Sequence, residues 1–123
     1  MTKKRILVVE DHKDMQEIYT KILDGRYDLT HAYSADEAWS HLQKNKPDLI
    51  ILDIMMPGEC GDSLCLKIRS MHQYAKVPVI VVSIIRESVQ VIKMLGLSGQ
   101  VSWMEKPFDE QKLLKKIEQL TNK

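Results

Sequence analysis

Four consecutive apolar residues, Leu49, Ile50, Ile51 and Leu52, run directly into Asp53, and Ile54, Met55, Met56, Pro57 and Gly58 follow. A strand with one wet face alternates apolar and polar residues. An unbroken apolar run instead reads as a strand covered on both faces, as in a parallel sheet between layers of helices. An aspartate ending such a strand stands at the carboxyl edge of the sheet, where open α/β folds bind ligands. The Pro57-Gly58 pair then turns the chain into a loop. On position alone Asp53 is equally readable as an acid that solvates a turn, so its companions decide.

Two more runs have the same form. Ile6, Leu7, Val8 and Val9 end in Glu10 and Asp11, and Val77 to Val82 ends in Ser83, with Pro78 near the start, where a missing amide is tolerated. Tyr27 to Tyr33 is shorter and partly alternating, which suits a strand nearer the sheet edge, and Val101 to Glu105 makes a fifth. Between the strands the apolar period changes to that of a helix. Met15, Ile18, Tyr19, Ile22 and Leu23 share one face of a segment from about Asp14 to Leu23, which Asp24-Gly25-Arg26 stops. Ser34 and Glu37 have the spacing of a capping box ahead of Ala35, Ala38, Trp39 and Leu42. Gly61, Leu64, Cys65 and Ile68 predict a helix to about Met71, and a weaker one spans Ser88 to Leu95. Asp109 can cap a last helix whose apolar face is Leu113, Ile117 and Leu120. Five strands alternating with five helices predict a doubly wound α/β fold around a five-stranded parallel sheet. Its 123 residues, 1–123, fit a single domain.

Composition removes several classes of function. A net charge of +1 lacks the basic footprint of a nucleic-acid binder, so direct nucleic-acid binding by this segment is not expected. No run approaches the ~18 apolar residues of a membrane span, and no apolar segment of a leader follows Lys3-Lys4-Arg5; a cytoplasmic chain without a membrane segment is expected. Cys60 and Cys65 match neither a redox pair nor a zinc set and read as reduced thiols. His31, His41 and His72 are scattered, and His12 beside the acidic pair reads as solvated.

Right-handed crossovers bring every strand's carboxyl end to one edge. Glu10 and Asp11 stand there after the first strand, Asp53 after the third, Ser83 after the fourth and Lys106 after the fifth. Crowded carboxylates repel one another unless a cation neutralises them, and an oxygen-only set with room for water suits magnesium. A metal with a lysine and a hydroxyl makes a cradle for phosphoryl oxygens. One carboxylate in such a cradle can act as nucleophile and form an aspartyl phosphate. Asp53 is the candidate, because its strand lies between the acids on one side and Ser83 and Lys106 on the other.

In these residues, from Arg5–Asp11 through Pro47–Gly58 to Lys106-Pro107-Phe108, the chain resembles the receiver (response-regulator, CheY-like) domains of two-component signal transduction. The resemblance implies a flavodoxin-like (βα)5 fold with sheet order 2-1-3-4-5. It implies that Asp53 takes a phosphoryl group from a histidine kinase or histidine phosphotransfer protein. Magnesium, with manganese as a substitute, would be held by Asp11 and Asp53, by Glu10 through water, and by the backbone carbonyl of Met55. Lys106 and Ser83 would bind the phosphoryl group, the Lys106–Pro107 bond would be cis, and Trp103 would be the aromatic switch. Phosphodonors of the family dock near the first helix, where Met15 reads equally as exposed or as core. Such a domain is a signalling module and not a turnover enzyme, with at most weak self-phosphorylation and self-dephosphorylation.

Some positions depart from that pattern. The residue after the hydroxyl is usually small but here is Ile84; with Met55 and Ile85 also apolar, these access-modulating side chains predict slow exchange at the phosphate and a long-lived signal. Val101 and Ser102 replace charged residues of the DNA-binding dimer subfamily, so that dimer mode is unsupported. An aspartate-nucleophile phosphatase of the haloacid dehalogenase type would need an acid at Met55. A nucleotide-binding protein would need a glycine-rich loop after a strand, and none is present. The remaining alternative is a degenerate receiver acting as a phosphorylation-independent interaction module.

Overall fold

The computed structural model describes residues 3–53, 70, 77–83, 101–105 and 108–121. The helices expected after Pro57-Gly58 and around Ser88 to Leu95 lie outside the described residues, as do Met55, Ile84, Ile85, Lys106 and Pro107. The described elements are β1 (Arg5–Val9), α1 (Lys13–Leu23), β2 (Asp28–Ala32), α2 (Ala35–Lys44), β3 (Leu49–Asp53), β4 (Val79–Ser83), β5 (Val101–Glu105) and α3 (Glu110–Thr121). The five strands form one sheet in the order β2-β1-β3-β4-β5, every pairing parallel.

The continuous apolar runs are buried on both faces, as their composition requires. Along β1, β3 and β4 successive side chains enter opposite cores. Leu7, Val9, Ile50, Leu52, Val79 and Val81 pack with Ala35, Ala38 and Leu42 of α2. Ile6, Val8, Leu49, Ile51, Ile80 and Val82 pack instead with Tyr19 and Leu23 of α1 and with Leu113, Leu114 and Ile117 of α3. The doubly wound arrangement follows from this division of labour. Strand β2 is an edge strand with alternating burial, in keeping with its mixed composition.

Local signals end the helices where the sequence places them. The Glu37 N–H donates to Ser34 Oγ at 3.1 Å, while Glu37 Oε1 accepts from the Tyr33 N–H at 3.2 Å, one residue before the cap. Gly25 has φ +85°, in the left-handed region that a side chain resists, just beyond the last turn of α1. Asp109 Oδ1 accepts from the N–H groups of Gln111 (2.8 Å) and Lys112 (3.1 Å) at the start of α3. On α1, Met15 is half-buried against the core, and the exposed apolar side chain is Ile18.

Because Ile51 is 1% exposed in the middle of β3, Ile51→Ala is expected to remove about 2–5 kcal/mol of stability. Ser34→Ala removes only the cap of α2 and is expected to cost about 1 kcal/mol. Urea unfolding of the two variants measures both losses, and equal losses would contradict this assignment of the core.

Candidate functional site

The sheet order brings the carboxyl ends of β1 and β3 side by side. Val9 pairs with Leu52, so the next residues, Glu10 and Asp53, emerge at the same level of the edge. Both are nearly excluded from water, at 1% and 4% exposure. Asp11 is half-buried and His12 exposed. Each of these four residues offers a ligand atom, and those atoms lie within 4.8 Å of one another. His12 is exposed as expected, yet its Nδ1 approaches Asp11 Oδ1 at 3.1 Å and Glu10 Oε2 at 3.4 Å, which puts the ring on the rim of the cluster.

Three carboxylates in this space, two of them almost without solvent, concentrate negative charge that water screens poorly. Asp11 Oδ1 is itself buried and, beyond the ion-pair contact with His12 Nδ1 at 3.1 Å, has no hydrogen-bond partner among the described residues. A buried acceptor of that kind calls for a further partner, which a cation supplies. The donors are carboxylate oxygens, the ligand type of hard divalent ions such as magnesium. The residues present therefore fit a magnesium site formed by Glu10, Asp11 and Asp53.

The other expected site residues are placed through the backbone of the described strands. Asp53 pairs with Val82, so Ser83, the last residue of β4, is one step beyond it at the same edge. Ser83 pairs with Glu105, the residue before Lys106. Trp103 pairs with Val81, two residues back from that edge.

Three residues near the cluster escaped the reading of the sequence. Gln16, on the first turns of α1, is 2% exposed. Its Nε2 donates to the backbone carbonyls of Ala32 (2.9 Å), Glu10 (3.0 Å) and Val8 (3.2 Å). Its Oε1 is hydrogen-bonded to Nδ1 of His31 on β2, whose Nε2 lies 3.1 Å from Thr20 Oγ1. Tyr19 is 1% exposed and stacks on Phe108, with ring centroids 5.5 Å apart and planes inclined by 24°. Burial, then the charges of Glu10 and Asp53, hold the Tyr19 phenol far above its ordinary range, so it remains protonated. Glutamine and histidine at single positions of an amphipathic pattern carry no signal of burial; the tyrosine was legible only as one more apolar position.

A family model of the response regulator receiver domain matches residues 6–118. The chain is similar to regulatory protein VanR of Enterococcus faecium, with 34% identity over 120 residues that cover 95% of this chain and 49% of that protein. It is also similar to histidine kinase P4 of Formosa agariphila, with 32% identity over 119 residues, 96% of this chain and 8% of the kinase. The chain thus spans about half the length of the first of these relatives and less than a tenth of the second. In three dimensions it resembles the signal receiver domain of a signal transduction histidine kinase from Syntrophus aciditrophicus, at TM-score 0.85 and 28% identity, over 97% of this chain and 90% of that one. Among the described residues, no helix is long and apolar enough to cross a membrane.

Burial lowers the His31 pKa below the ordinary histidine value. The unfolded chain therefore binds a proton at higher pH than the folded one. The contribution to stability is complete above the unfolded pKa, about 6.5, and is lost as pH falls through the folded value. An NMR titration is expected to show the His31 ring titrating below about 6.5, with the urea midpoint falling on acidification through that window. A His31 midpoint at or above the ordinary value would contradict the burial described here.

Proposed function

The chain belongs to the response regulator receiver domain family of two-component systems, and from that membership we propose that it is a phosphorelay receiver whose phosphoacceptor is Asp53. The observation that carries this reading is the meeting of Glu10, Asp11 and Asp53 in one cluster at the edge shared by β1 and β3. The phosphoryl group comes from a histidine kinase or a histidine phosphotransfer protein. An Asp53 carboxylate oxygen attacks the phosphorus of the donor's phosphohistidine, an O–P bond forms as the N–P bond breaks, and the departing imidazole takes up a proton.

Asp11 and Asp53 would hold magnesium directly, with Glu10 acting through water and the Met55 carbonyl completing the set; manganese is the substitute. When bound, the ion neutralises the carboxylates and the charge of the phosphoryl oxygens. Ser83 and Lys106 then hydrogen-bond the phosphoryl group, and Lys106 is followed by a cis bond to Pro107. As Ser83 moves, Trp103 turns inward and alters a partner-binding face, so that a local change of charge is read at a distance. The apolar side chains of Met55, Ile84 and Ile85 keep water from an attacking position and give the acyl phosphate a long lifetime. Residues 1–123 act in this reading as one receiver domain in the cytoplasm, passing a signal by group transfer and contact with protein partners, without contact to nucleic acid or membrane.

Incubation with magnesium and acetyl phosphate or phosphoramidate is expected to add the mass of one phosphoryl group, and Asp53→Ala is expected to abolish that gain. Absence of any gain in the wild-type chain would favour the degenerate receiver, an interaction module indifferent to phosphorylation. Following the decay of the phosphorylated protein tests the apolar shield: Ile84→Ala is expected to shorten the lifetime, and a wild-type lifetime of seconds would refute it.

A further inference from the structure

We propose that Gln16 is a positioning residue for the acidic cluster, holding the Glu10 backbone in place for cation binding, and that His31 locks the Gln16 amide in the orientation this requires. The inference rests on the reading of Glu10, Asp11 and Asp53 as a magnesium site and adds the device that sets its affinity.

Three carbonyl oxygens, those of Val8, Glu10 and Ala32, converge on Gln16 Nε2 at 2.9–3.2 Å. The amide nitrogen has two N–H groups for three acceptors, so one N–H is shared. The Ala32 carbonyl also accepts from the Glu10 N–H at 3.0 Å. The Glu10 backbone is therefore held on both sides, its N–H by β2 and its carbonyl by a side chain of α1. The Glu10 carbonyl belongs to the peptide joining Glu10 to Asp11, so the contact fixes the plane from which the second acid departs.

The amide has a single workable orientation. Turned over, Oε1 would face three carbonyl oxygens and repel them. In the orientation observed, Oε1 accepts from His31 Nδ1, which must carry a proton. Thr20 Oγ1 lies 3.1 Å from Nε2 on the far side of the ring and 3.0 Å from the Gln16 backbone carbonyl, two acceptors between which its single O–H is shared. The chain Thr20–His31–Gln16–Glu10 is thus a continuous polar strut from the edge strand to the acidic pair. Magnesium tolerates little departure from octahedral geometry, so loss of the strut shows as lost affinity. Residues behind the ligands of a metal site commonly set affinity in this way.

The test is magnesium titration of the whole chain, followed by NMR amide shifts, for the wild type and for Gln16→Met, which keeps length and volume but has no donor. The expected result is a dissociation constant raised about tenfold with a cooperative urea transition retained. The rate of modification by phosphoramidate should fall at limiting magnesium and return to the wild-type rate at saturation, a split that general loosening of the fold would not give. Unchanged affinity in Gln16→Met, beside a wild type that binds magnesium and is modified on Asp53, would overturn this proposal and leave the functional reading intact. A wild type that binds no magnesium would overturn both. If Gln16→Met fails to fold, His31→Leu decides: weakened magnesium binding supports the strut and unchanged binding overturns it. In the wild type, ring-nitrogen shifts should show His31 with its proton on Nδ1; the other neutral tautomer would overturn the lock.

Discussion

Two carboxylates placed next to each other out of water are an unfavourable arrangement, and the rest of the structure is what holds it together. Glu10 follows β1 and Asp53 ends β3, two neighbouring interior strands that are buried along almost their whole length. Full burial of one aliphatic side chain contributes about 1.5–3 kcal/mol, while removing one ion from water costs several kcal/mol. Several core residues are thus needed to offset each acid, and β1 and β3 supply them, four consecutive apolar side chains apiece. The helices on both faces are the condition for that supply. The carboxylates sit where the strand order reverses, between β1 and β3, the place in an open α/β sheet where ligands bind.

Around the acids the fold uses neutral groups. Gln16, Thr20 and His31 satisfy backbone and one another without adding formal charge while the imidazole is neutral, and Tyr19 remains a phenol. The Gln16 amide fixes three backbone carbonyls without bringing a further formal charge into the buried layer.

Much of this was legible in the sequence, because burial on two faces leaves an unmistakable record. Leu49 to Asp53 matched its strand to the residue, Ile6 to Val9 missed only Arg5 of β1, and Ser34 and Asp109 marked where helices begin. The lateral order of the strands came through family resemblance, since periodicity says nothing about which strands are neighbours. Met15 and Ile18 could not be sorted by period, because both lie near the border of the apolar stripe and only packing against the sheet decides between them. The box at Ser34 held in type but shifted in detail, Glu37 reaching the amide of Tyr33. Gln16 was illegible for a deeper reason: its value lies in three carbonyls contributed by two strands, and no local pattern encodes that convergence.

The stack of Tyr19 on Phe108 joins α1 to the stretch that follows β5, two residues beyond Lys106. An aromatic pair of this kind contributes about 0.5–1.5 kcal/mol beyond simple burial. Any rearrangement that carries Phe108 away forfeits that contact, so a chain without the stack rearranges at a smaller cost. The ratio of the two populations then differs by roughly two- to twelvefold between chains with and without the stack. Helix and segment, far apart in sequence, vote on the same equilibrium.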